Sequence, residues 1–211
     1  MSQSEHEVIA GPNLRWRVVD IAVASAIGVA SSIIYWVVGL LYSPVFTPLD
    51  ALVPGLAGFI NGLWLFAGPL AALIVRKPGA AIYAEVIAGV LESLFGNQWG
   101  GLETFLQSFV QGACAEIVFV VVVYKIWNLG TAALSGVVSG IGCWTFTFLT
   151  HLQGFNFMGV YGVWYLVTTL VSGGAISGVL MWYLYVAIAK TGAIDKFASG
   201  RAIRRSSGFD S

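Results

Sequence analysis

The sequence predicts an all-α membrane protein with six transmembrane helices and both termini in the cytoplasm. Three observations predict it. The chain of 211 residues is 58% hydrophobic and 9% charged, against about 25% charged in an ordinary soluble domain. Its apolar runs are long enough to cross a bilayer, which takes about twenty helical residues. Its ten Lys and Arg residues all fall on one side when six spans are drawn, and the positive-inside rule makes that side cytoplasmic. Five or seven spans would scatter them.

The elements follow in order. Residues 1–17 are a polar segment that lacks the basic start and short apolar core of a cleaved signal peptide, so they are expected to stay in the cytoplasm. Span one is expected at Val18–Leu41, after Arg15 and Arg17, with Asp20 near the helix N-terminus, where an acid is favoured. Span two is expected at Leu52–Val75, followed by Arg76 and the breaker Lys77-Pro78-Gly79. Span three, Ala80–Phe95, is short. Span four is expected at Leu102–Trp127, with Lys125 at its inner end. Asn128-Leu129-Gly130 separates it from span five, Ala132–His151, and span six runs over Val160–Ala189. Outer loops are expected at 42–51, 96–101 and 152–159. Residues 18–189 then form one transmembrane domain. Residues 190–211, with Lys190, Lys196, Arg201, Arg204 and Arg205, read as a solvated basic tail in the cytoplasm.

Several function classes are disfavoured. There is no phosphate-binding loop of the GxxxxGK[ST] type, so ATP hydrolysis is not expected of this chain. There is no HExxH pair, and the histidines are only His6 and His151. Cys114 and Cys143 lie in apolar runs without metal or redox spacing and read as small buried residues. No catalytic residue, metal site or cofactor is expected. Ten acidic residues balance the basic ones, which gives no sign of a nucleic-acid partner. Neither an inverted repeat nor a broken helix is recognisable.

The polar residues inside the spans carry the functional signal. Ionisable groups at membrane depth face the bundle interior and mark substrate pathways. Glu85 and Glu92 are seven residues apart and share a helical face. Glu103, Gln107 and Gln111 step by four into a stripe from the outer surface to mid-membrane. Glu116 lies off that stripe. For Glu85 and Glu116, interhelical hydrogen bonding and ligand binding are both open readings. For Glu92 and the stripe, a ligand site is favoured. Aromatics gather at the same outer level: Tyr35, Trp36 and Tyr42 at the end of span one, Trp64 with Asn61, Trp99 with Gln98 in the outer turn, Trp144 with Thr147 and His151, and Tyr161, Trp164 and Tyr165 with Thr168. Some belong to the headgroup belt. Others offer ring faces to a flat or cationic ligand. Acids, amides and aromatics together suggest a small planar amine captured from outside. In span one, Ala22, Ala26 and Ala30 step by four, with Ala24 and Gly28 in a parallel row. Such rows let another helix approach closely, either within the chain or from a partner subunit.

At these residues the chain resembles a known family. From about Asp20 to Ala189, its short-looped spans, inside N-terminus and AxxxA face are similar to the substrate-binding S component of energy-coupling factor (ECF) transporters. The string RKPGAAIYAEVIAGVLESLFGNQWGG followed by LQSFVQGACAEIVF resembles, more narrowly, the YkoE family. The resemblance implies an S-component-like bundle in a prokaryotic plasma membrane that captures thiamine or its hydroxymethylpyrimidine precursor. It implies docking through span one onto a transmembrane coupling subunit, with two cytoplasmic ATPase subunits. On that reading Glu92, Gln107 and Gln111 bind the pyrimidine, with Glu85 as an alternate. Trp36, Trp64, Trp99, Tyr161 and Trp164 stack, and Asn61, Gln98, Glu103 and His151 are secondary candidates. The competing reading is a stand-alone proton-coupled secondary carrier for a small aromatic amine.

Overall fold

Helix α1 (Val18–Leu41) starts where Arg17 and Asp20 close on each other. The Arg17 N–H donates to Asp20 Oδ2 at 2.7 Å, and the guanidinium donates to Oδ1 at 2.8 Å. The acid thereby fills the N-terminal turn, where orphan donors need an acceptor. The computed structural model describes residues 14–206. His6, most of the expected polar segment 1–17 and residues 207–211 lie outside the described residues. Among the described residues every regular element is helical.

Five helical segments are long and apolar enough to cross a membrane: Val18–Val45, Leu56–Val75, Gly101–Val121, Leu129–Thr150 and Val160–Lys190. The expected third span is helix α4 (Ala80–Leu94), of 15 residues. At 1.5 Å per residue it is about 22 Å long, shorter than the roughly 30 Å hydrocarbon core. It nevertheless packs along α1 on one side and α5 (Gly101–Val121) on the other.

Four expectations need correction. The outer loop 42–51 is helical: a π turn (Tyr42–Phe46) leads into α2 (Thr47–Leu52). Pro44 has no N–H to donate, so the regular ladder cannot continue through it. Span two is broken into a 3-10 helix (Leu56–Trp64) and α3 (Ala67–Val75). Span six is α7 (Val160–Ser172), a π segment (Gly173–Leu180) and α8 (Met181–Lys190). Span four ends at Val121 rather than Trp127, because Val123 and Tyr124 take left-handed backbone angles and reverse the chain.

The basic tail also differs from its expectation. Residues Ala198–Ser206 form α9, which packs against α3 and α8. Ser199 Oγ donates to the Ile74 carbonyl at 2.6 Å, and Tyr185 Oη donates to the Ser199 carbonyl at 2.8 Å. Arg76 donates to Tyr185 Oη and lies over the Trp127 ring.

Helix α3 is buried along its whole length and forms the centre of the bundle. Its Leu70, Leu73 and Ile74 meet Met181 and Tyr185 of α8, and Phe197 just before α9, in the largest apolar cluster. Span five is α6 (Leu129–Thr150). It starts three residues before its expected position because Asn128 caps it by accepting the Thr131 N–H at 2.9 Å. It touches the π segment through glycine: a Cβ on Gly136 would sit 2.1 Å from the Gly173 carbonyl oxygen, so neither helix tolerates a side chain there. The outward faces of α1, α5 and α7 carry exposed Val, Ile, Leu and Phe, as lipid contact requires.

Candidate functional site

A cavity of about 230 Å³ lies between the 3-10 helix, α4, α5, α6 and α7. It is at the end of the bundle opposite the basic residues. Its walls have three chemical characters, and each is set by a particular element.

The acidic wall belongs to α4. Glu92 is 3% exposed, and among the described residues it receives one protein hydrogen bond, from Trp64 Nε1 at 3.2 Å. A buried carboxylate ordinarily takes two or three donors. The amide wall belongs to α5, where Thr104, Gln107, Ser108 and Gln111 face the cavity. Thr104 and Ser108 turn their hydroxyls onto carbonyls one turn back, Gly100 and Thr104. Among the described residues the Gln107 amide reaches only the Cys143 thiol, at 3.8 Å. The α5 wall continues into Thr147 and His151 of the α6 end. The imidazole of His151 is paired with Glu103 on α5.

Aromatic rings form the third wall, in two groups. Trp99 meets Tyr42 and Trp64 edge to face, and Tyr42 is tilted against Trp64, with centroids 5.5 to 6.0 Å apart. Tyr161 and Tyr165 are one helical turn apart on α7, with rings nearly parallel at 9° and centroids 5.9 Å apart. Asn61 fixes the second group by donating to Tyr165 Oη at 3.1 Å and to Thr169 Oγ1 at 2.8 Å. Tyr161 Oη donates to Asp50, which also accepts the Gly55 and Ala57 N–H groups at the start of the 3-10 helix.

The structure therefore brings together Glu92, Gln107, Gln111, Asn61, Trp64, Trp99, Tyr161 and His151 of the expected set. It places five others elsewhere. Glu85 accepts from Tyr35 Oη at 2.7 Å and from the Gly68 N–H at 2.6 Å, and so caps α3 where span two breaks. Trp36 donates to the Gly96 carbonyl and packs on Phe95. Trp164 is 56% exposed on the lipid side of α7. Gln98 is held by Ser43. Glu103 sits on the rim as the partner of His151. Outside the expected set, Tyr35, Tyr42, Tyr165, Thr104, Ser108, Thr147 and Leu152 also line the cavity. Four-residue spacing from Tyr161 finds Tyr165, and the stripe's neighbours find Thr104 and Ser108. Tyr35 and Tyr42 are found among the aromatics that close span one at its outer end.

The small residues of α1 divide into two faces. Ala24 and Gly28 are buried, and a Cβ on Gly28 would sit 2.7 Å from Ile87 of α4, so this row serves packing within the chain. Ala22, Ala26 and Ala30 are exposed.

Apolar helices enclosing a polar, aromatic cavity near one end define a multi-pass cell-membrane transport protein. The chain belongs to the family described as "ABC-type cobalt transport system, permease component", whose model matches residues 19–142. It is 29% identical over 196 residues to the "Putative HMP/thiamine permease protein YkoE" of Bacillus subtilis (strain 168), an alignment covering 90% of this chain and 93% of that one. It superposes on the crystal structure of an S-component of an ECF transporter with a TM-score of 0.83 and 27% identity, covering 93% of this chain and all of that one.

Proposed function

We propose that this chain is the substrate-capturing S component of an ATP-driven importer, and that its cavity takes thiamine or hydroxymethylpyrimidine from the outer face of the membrane. One observation carries the reading: Glu92 is buried beside the cavity with a single protein donor. An aminopyrimidine supplies the missing N–H donors as charge-assisted hydrogen bonds, and its ring nitrogens accept from Gln107 or Gln111. The Trp64–Trp99 and Tyr161–Tyr165 groups give flat apolar faces to the pyrimidine and, in thiamine, to the thiazolium cation. The relative's printed name, HMP/thiamine permease, supports this choice. The cobalt of the family's description fits less well. Among the described residues no three His, Cys, Asp or Glu converge, and the lining offers only Glu92 and His151 of those types.

In this reading α4 crosses the membrane as a short sixth span. All ten basic residues, both termini and α9 then face the cytoplasm, and residues 18–189 form the substrate-binding domain. The exposed Ala22, Ala26 and Ala30 row docks onto a transmembrane coupling subunit, while two separate ATPase subunits hydrolyse ATP. Titration calorimetry on the detergent-purified chain tests the function. One-to-one binding of thiamine or hydroxymethylpyrimidine is expected, and heat from neither would refute the assignment. Uptake by the chain alone in proteoliposomes under a pH gradient would instead establish the proton-coupled carrier.

A further inference from the structure

We propose that the cavity accepts its ligand only in the unphosphorylated state, and that Glu103 on the rim is the specificity-determining residue that turns away a phosphate monoester of the same alcohol. This rests on the function proposed above. Thiamine and hydroxymethylpyrimidine each carry one primary alcohol, and its phosphate ester adds about −1.5 to −2 charge at neutral pH. A site that welcomed the ester would need a cation or unspent backbone donors for it.

The cavity offers no cation. All ten Lys and Arg of the chain fall among the described residues, and none lines it. The formal charges around it are Glu92 within, Glu103 and His151 at the rim, and Asp50 behind Tyr161. Even with His151 protonated, that sum is negative, and the imidazole is already engaged by Glu103. Two of the helix starts facing this end carry an acid. Helix α5 carries Glu103 in its first turn. Asp50 accepts the Gly55 and Ala57 N–H groups at the start of the 3-10 helix. A phosphate at the mouth would meet like charge with no Lys or Arg to offset it, which is how a site discriminates against a near-identical ligand.

The consequence reaches one reaction upstream. Where only the ester is present outside the cell, a phosphomonoester hydrolase must act before capture. Water adds to phosphorus, the bond from phosphorus to the alkyl oxygen breaks, the alcohol oxygen takes a proton, and orthophosphate leaves.

The test measures quenching of the cavity tryptophans in the detergent-purified full chain at pH 7.5, with thiamine, thiamine monophosphate and the neutral O-acetyl ester. The monophosphate should bind at least about thirtyfold more weakly than thiamine, and the acetyl ester within about fivefold. Glu103→Gln should narrow the gap between thiamine and its monophosphate about fivefold. On the unaltered chain, raising salt from 0.05 to about 0.5 M should narrow it as well, because rim charges are screened. Equal affinity for thiamine and the monophosphate overturns the inference and leaves the function standing. Equal loss for the acetyl ester overturns it in favour of a steric limit. A gap unmoved by both Glu103→Gln and salt removes Glu103 from the role. Failure of thiamine and hydroxymethylpyrimidine alike refutes the function itself.

Discussion

Three glutamates on adjacent helices differ in how many donors each one meets. Glu116 accepts from the Gly79 and Ala81 N–H groups and from Tyr124 Oη, at 2.9, 2.8 and 2.5 Å. Glu85 has Tyr35 Oη and the Gly68 N–H. Among the described residues Glu92 has only Trp64 Nε1. The first two acids complete helix N-termini, where the dipole and orphan N–H groups favour a carboxylate. In the proposed function the third is left for the ligand. Glu92→Gln should therefore weaken thiamine binding about ten- to a hundredfold, the worth of one hydrogen bond to a charged group, and leave thermal stability unchanged or raised. Trp164→Ala should change affinity less than twofold, because that ring faces lipid. Calorimetry on the two variants separates them, and loss of affinity in Trp164→Ala alone would reverse the placement of α7.

At the scale of elements, the irregular spans are matched to each other. Thr168 Oγ1 donates to the Gly55 carbonyl at 2.7 Å, and Ser177 Oγ donates to the Gly62 carbonyl at 2.8 Å. Ser172 Oγ accepts the Gly62 N–H at 3.1 Å. The 3-10 helix of span two and the α7–π run of span six thus satisfy one another's backbone at membrane depth, where an unpaired group costs several kcal/mol. Glu116 does the same for the turn that opens α4. Glu116→Ala strands three buried donors and should cost about 3 kcal/mol, seen as a fall of several degrees in the detergent melting temperature. An unchanged melting point would mean that water replaces the carboxylate. On α1, Ala26→Trp should leave ligand affinity intact while abolishing ATP-driven uptake in the reconstituted complex, since it blocks close approach on the exposed face. Gly28→Leu should instead destabilise the isolated chain, because Ile87 already fills that space.

For the whole molecule, the decisive quantity is charge asymmetry between the two ends. One end holds Arg17, Arg76, Lys125 and α9, and the other holds the cavity. With Cys114 and Cys143 replaced by alanine, a cysteine at Ser206 should react with a membrane-impermeant thiol reagent only from inside the cell. One at Met158, which is 78% exposed between α6 and α7, should react from outside. Labelling of both from the same side would break the six-span topology and place an even number of crossings between them.

The sequence by itself determined the helical class, the approximate span positions and the one-sided distribution of basic residues, because these follow from local hydropathy and from charges that cannot stay in hydrocarbon. It also singled out Glu92, Gln107 and Gln111, since regular helices convert four-residue spacing into a shared face. Tertiary structure alone decided how many donors each acid meets. That depends on where other segments deliver their donors: Gly68 to Glu85 across the break in span two, and Gly79 to Glu116 across the turn before α4. It likewise decided which small-residue row of α1 stays exposed. The breaks in spans two and six were not legible either. A 3-10 or π turn in a membrane persists only when a partner far along the chain accepts and donates in place of the missing ladder, and no local pattern records that partner.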